Sequence, residues 1–139
     1  MEKAILESIS FELTIPTAFQ FGQRFSQLLD LDFTAYSLGQ YLLEISLGEA
    51  RMREFKPSLV AASCCYLAKK LLRHSGAYSK LMVDLTGYSL VEVQACAFNI
   101  FYLLTRADSD PRFKSVFDKY AQEHLGCVSL LPLHYRGQL

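Results

Sequence analysis

Glu54-Phe55-Lys56-Pro57-Ser58-Leu59-Val60-Ala61-Ala62-Ser63-Cys64-Cys65-Tyr66-Leu67-Ala68 decides the fold of this chain. Pro57 can open a helix, because the first turn has no use for the N–H that proline lacks. From Leu59 to Ala68 the residues are apolar or small on every side. A helix without a polar face is surrounded by other helices, and its small residues let their backbones come close. Lys69, Lys70 and Arg73 gather where cations suit the end of a helix, so the helix is expected over 58–73. Gly76 is the expected stop. The apolar run 59–68 is far shorter than the ~20 residues that span a bilayer, and it contains Ser63. It reads as a core helix, and no membrane contact is expected.

Helical periodicity extends in both directions from this centre. Upstream, 35–49 places Leu38, Tyr41, Leu42 and Ile45 on one face. Before it, 16–29 carries Phe21, Phe25, Leu28 and Leu29, with Pro16 expected in the first turn. Asp30 to Phe33 break the two apart. Met1, Ile5, Leu6 and Ile9 recur at helical spacing, and Phe11 to Thr14 read as an extended linker. Ile15 shares that bias because Pro16 follows it.

Downstream, a short helix over 79–86 stops at Gly87. Ser89 and Glu92 then spell a capping box. The helix it opens carries Val91, Ala95, Phe98 and Tyr102 on one side and Val93, Ala97, Ile100 and Leu104 on another. Asp110-Pro111 starts a last helix with Phe113, Val116, Phe117 and Tyr120, which Gly126 is expected to close. The tail from 127 to 139 contains Pro132 and no periodicity. Neither strand alternation nor an internal repeat is visible, so the expected class is all-α.

The chain has 139 residues, about half of them apolar and 13% aromatic, enough for one domain with its own core. Fourteen basic and fourteen acidic residues give zero net charge. That balance argues against a nucleic-acid binder, which carries a basic surplus. It does little for solubility, so an oligomer or a larger parent protein is expected. Cys64, Cys65, Cys96 and Cys127 show no C-x-x-C spacing and read as reduced core thiols. No signal peptide is visible, which leaves nucleus and cytoplasm as the expected location.

The sequence contains no catalytic, cofactor-binding or metal-binding constellation. His74, His124 and His134 lack partners at metal-ligand spacing. Asp30 with Asp32, and Asp108 with Asp110, flank helix breaks, where aspartate serves as a cap more readily than as an acid–base pair. The glycines form no phosphate cradle. Ser63-Cys64-Cys65 lies inside an apolar helix, which shields a thiol and raises its pKa. Arg51, Arg53, Lys56, Lys69, Lys70 and Arg73 are interrupted by Glu49 and Glu54 and read as solvated helix ends. The chain is expected to bind rather than catalyse.

The order of four segments resembles the C-terminal fold of A- and B-type cyclins. Residues 9–17, Ile-Ser-Phe-Glu-Leu-Thr-Ile-Pro-Thr, resemble the cyclin segment joining two helical lobes, and the Pro-Thr leans toward the A type. Residues 41–47, Tyr-Leu-Leu-Glu-Ile-Ser-Leu, resemble the second helix of the C-terminal lobe. The quoted 54–68 stretch resembles the opening of the third. Thr86-Gly87-Tyr88-Ser89 resembles the turn before the fifth. Phe117 to Tyr120 and Val128 to Leu131 are weaker echoes.

The resemblance implies a single five-helix cyclin-like domain over 14–131 with a central buried helix. Residues 1–13 would be the end of a preceding lobe's last helix plus a linker, and 132–139 a tail. It also implies architectural roles for Pro57, Gly87 and Tyr88. The partner would be a cyclin-dependent protein kinase, reached through the parent protein in cell-cycle control. The first cyclin lobe, which in the family holds the Met-Arg-Ala-Ile-Leu docking helix, a nearby Trp and most kinase contacts, has no counterpart here. The chain contains no Trp, and no kinase-contact residue carries over. Without that lobe the Met1–Ile9 strip is expected to promote self-association or to fold back on its own domain. The competing reading is a nucleic-acid-associated module like transcription factor IIB, which looks like the same fold; neutral charge speaks against it.

Overall fold

The computed structural model describes residues 1–10 and 15–131; the expected linker 11–14 and the tail from 132 onward lie outside them. Among the described residues seven α-helices follow one another: α1 (Glu2–Ser8), α2 (Ala18–Leu28), α3 (Phe33–Leu47), α4 (Pro57–Leu71), α5 (Lys80–Thr86), α6 (Leu90–Leu104) and α7 (Lys114–Tyr120). Short 3-10 turns occupy Ala50–Glu54, Pro111–Phe113, Glu123–Leu125 and Val128–Leu130. There is no strand among the described residues. Helices α2 to α6 form the five-helix arrangement, and α7 packs against its α3 side.

Helix α4 is the centre, as its all-round apolar sequence requires. It packs against α2, α3, α5 and α6. Pro57 is its first residue. Val60 through Ala68 are all buried, while Leu59 is half-buried. The one serine in this run is satisfied: Ser63 Oγ lies 2.8 Å from Leu59 O in its own helix and 3.2 Å from Val93 O across the seam with α6. Across the α2 seam, Ser26 Oγ donates to Gly22 O at 2.7 Å and faces Cys65 Sγ at 3.9 Å. A Cβ on Gly22 would come within 2.7 Å of Leu43 Cδ1, so the glycine is what lets α2 approach α3.

Several boundaries differ from expectation. Pro16 lies outside α2, which Thr17 caps instead: Thr17 Oγ1 accepts from Gln20 N, and Gln20 Oε1 accepts from Thr17 N at 3.0 Å. Leu28 is half exposed, because the buried face of α2 runs through Gly22, Phe25 and Ser26. Helix α4 stops at Leu71, ahead of Gly76. Arg73 takes the left-handed conformation (φ +56°), and His74 N–H donates back to Lys69 O at 2.9 Å. This is the backbone pattern of a glycine-type helix end, built here on arginine. Asp30 (φ +49°) ends α2 in the same way, with Leu31 N–H donating to Ser26 O.

The C-terminal region departs furthest. The helix expected to run to Gly126 ends at Tyr120. Gly126 and Cys127 are successive left-handed residues (φ +78° and +50°). Together they turn the chain so that the Val128–Leu130 turn packs on α3 and α7, with Val128 fully buried. Ser129 Oγ fixes the turn by donating to Phe117 O at 2.9 Å. Glu44 ties α7 to α3: its Oε1 accepts from Tyr120 OH at 2.8 Å and from Lys119 Nζ at 2.6 Å. Burial and the Glu44 hydrogen bond hold the Tyr120 phenol far above its ordinary range.

Candidate partner-binding surface

The Thr86-Gly87-Tyr88-Ser89 turn is a hydrogen-bonded joint. Gly87 adopts φ +73°, which ends α5 and lets α6 leave at 85°. Tyr78 OH donates to Tyr88 O at 2.5 Å and lies 3.3 Å from Thr86 Oγ1. Tyr88 OH meets Ser58 Oγ at 2.6 Å, which couples the joint to the start of α4. Ser89 then opens α6: Glu92 Oε2 accepts from Ser89 N and Oγ, both at 2.8 Å, and Ser89 Oγ accepts from Glu92 N. Gly87 and Tyr88 are thus held in architectural roles, as the resemblance implied.

The candidate chemistry resolves into structure. Cys64, Cys65 and Cys96 are buried, and burial pushes their thiols up, Cys65 and Cys96 to about 11. Cys127 is half-buried. Asp32 Oδ1 caps α3 by accepting from Ala35 N at 2.8 Å, and its other oxygen lies 3.8 Å from His74 Nε2. Asp110 caps the next turn by accepting from Arg112 N; hydrogen bonds and charge from Arg112 hold its carboxyl below the usual range. No cluster of three or more His, Cys, Asp or Glu capable of holding a metal occurs among the described residues. His134 lies outside them.

The surface is more informative. Of the two apolar sides of α6, Val93, Ala97, Ile100 and Leu104 enter the core, whereas Val91, Phe98 and Tyr102 remain 75%, 63% and 54% exposed. Along α1 and its two caps, Met1, Ile5 and Ile9 are exposed too and Leu6 is half-buried, so most of the strip is left uncovered by the described residues. The basic residues disperse. Lys69 Nζ donates to Gly76 O, and Lys70 Nζ to Tyr66 OH. Arg51 instead joins Arg106 around a cleft of about 200 Å³ between the Ala50–Glu54 turn and α6. Sequence reading missed this pairing, because the two arginines lie 55 positions apart in the chain.

Comparison with known proteins defines the class. The family model "Cyclin, C-terminal domain" matches residues 16–133, which take in α2 to α7 and the buried Val128 turn. The chain belongs to the cyclin C-terminal domain family. Its similarity is to mitotic and A-type members. It is 33% identical over 134 residues to G2/mitotic-specific cyclin-B of Dictyostelium discoideum, covering 96% of this chain and 30% of that protein. It is 36% identical over 137 residues to Cyclin-A3-2 of Oryza sativa subsp. japonica, covering 94% and 35%. It is 31% identical over 140 residues to Cyclin-A3-3 of Arabidopsis thaliana, covering 96% and 42%. The chain spans about a third of the length of the first of these relatives. Cyclins are regulatory subunits of kinases and not themselves enzymes, and the transcription factor IIB-like alternative gains no support.

Proposed function

We propose that this chain serves as the C-terminal lobe of a mitotic-type cyclin, a cell-cycle regulatory module that contributes to a kinase complex without doing chemistry itself. The observation that carries the reading is the family match across α2 to α7, supported by relatives named as G2/mitotic-specific cyclins. The partner is a cyclin-dependent protein kinase, reached through a first lobe joined before α2. Residues 1–13 serve as the end of that lobe and its linker, 14–131 as the regulatory fold and 132–139 as a tail. The site of action is the nucleus and cytoplasm, with neither nucleic acid nor membrane as a ligand. The 139 residues alone self-associate through the α1 strip.

The test is a chimera. The first lobe of the Dictyostelium cyclin-B is joined to this chain and mixed with purified cyclin-dependent kinases, beside each half alone. The chimera is expected to raise phosphorylation of a histone substrate well above either half. A chimera no better than the first lobe alone would sink the regulatory reading. Strong activation by the 139 residues alone would require a kinase-binding surface on this lobe.

A further inference from the structure

Two apolar stripes on this chain lack a cover, and they fit each other. On α6, Val91, Ala95, Phe98 and Tyr102 recur at the spacing of one helix face, and all four are exposed. They run about 17 Å along the helix axis. The other side of α6 is locked in the core through Val93, Ala97, Ile100 and Leu104, so the stripe is presented rigidly. Ala95 makes a low point between Val91 and Phe98, into which a larger side chain can settle. Along α1, Met1, Ile5 and Ile9 recur four positions apart, all exposed, over about 12 Å. Lys3 and Glu7 pair at 3.9 Å on the opposite side of α1, which leaves the apolar side as its contact face.

Charge sets the direction of the fit. Glu2 borders the α1 strip, and Arg106 borders the α6 stripe one turn beyond Tyr102. Neither forms an ion pair among the described residues. The Arg106 guanidinium is held back at the level of Tyr102, 5.5 Å from the ring centroid, and donates to Tyr102 OH at 3.0 Å. Helical side chains lean toward the N-terminus of their own helix. In an antiparallel pairing Glu2 therefore leans toward Tyr102, and by helical angle it borders its strip on the side that meets Arg106. A parallel pairing would carry Glu2 to the Val91 end, away from Arg106.

We propose that α1 of one copy of this chain packs antiparallel on the α6 stripe of a second copy, with Ile5 over Ala95 and Glu2 paired with Arg106. The inference rests on the self-association reading and names the surface that receives the strip. The two contact faces differ, so the contact is head-to-tail, and every copy carries both halves.

The test is complementation between two full-length variants, followed by sedimentation equilibrium. I5E/I9E spoils the strip and F98E spoils the stripe; all three residues are exposed, so far-ultraviolet spectra should match the parent. Each variant alone should stay near 15.8 kDa. Their equimolar mixture should reach about twice 15.8 kDa and stop, because one intact strip and one intact stripe remain. E2R and R106E should each weaken parent association about threefold, and E2R/R106E should recover most of it. If I5E/I9E dissociates while F98E associates like the parent, self-association through α1 stands and the α6 receptor is overturned. A mixture that stays monomeric overturns it too, and a double charge variant weaker than either single overturns the antiparallel pairing. A parent that remains monomeric at millimolar concentration sinks the self-association reading as well.

Discussion

Ser89 and Glu92 exchange hydrogen bonds at the head of α6, and that exchange makes the cap sensitive to acid. Two donors on Ser89 hold the Glu92 carboxyl below its ordinary range. A carboxylate with a lowered folded pKa adds stability above its unfolded value, about 4.3 for glutamate, and loses it as pH falls through the folded value. Ser89→Ala is expected to cost about 0.5–2 kcal/mol at neutral pH. The difference between variant and parent urea midpoints should shrink as the pH is lowered below about 4.3. A pH-independent difference would mean that Glu92 takes no part.

Tyr78→Phe removes the donor to Tyr88 O and should cost about 0.5–1.5 kcal/mol, read as a lower unfolding midpoint. The thiols give a separate check. Cys64, Cys65 and Cys96 are buried with raised pKa values, so a nitrobenzoate disulfide reagent at pH 8 should label only Cys127 rapidly. Fast labelling of two or more thiols in the native state would contradict the packing around α4.

Helix α4 was legible in sequence because a helix apolar on all sides has only one place in a bundle. Ala62 shows the consequence. It is fully buried, and Ala62→Leu should overpack the α4 seams and cost about 1–3 kcal/mol by denaturant unfolding. A loss of a few tenths would mean that the helix is not enclosed. Both capping features around α5 and α6 were legible too, since caps depend on neighbours within four residues. What escaped depends on distant partners. Leu28 looked like a core residue, but Gly22 and Ser26 make the closer approach to α3 and α4. The two apolar sides of α6 read alike, and only the packing of α4 and α3 selects one of them. Arg73 carries a conformation that sequence assigns to glycine, so the pattern alone points to Gly76 as the stop. The Arg51–Arg106 cleft joins a turn and a helix that no local pattern connects.

The whole molecule combines zero net charge with an uncovered apolar strip on α1 and another on α6. Charge repulsion does little to oppose contact between such surfaces. Sedimentation equilibrium should therefore give a mass that rises with concentration above the 15.8 kDa of one chain. I5E together with I9E should return it toward that value. A constant 15.8 kDa across the range would exclude self-association through α1.

Val128 closes the core against α3, more than eighty residues earlier in the chain. On the ribosome, helices α2 to α6 emerge while that place is still unfilled. Domains begin folding during synthesis from the N-terminal side. Here the nascent chain can assemble around α4 early, yet it cannot seal the space between α3 and α7 until residue 128 has been translated and released from the tunnel. Translational pausing before that codon would hold a half-sealed lobe within reach of chaperones.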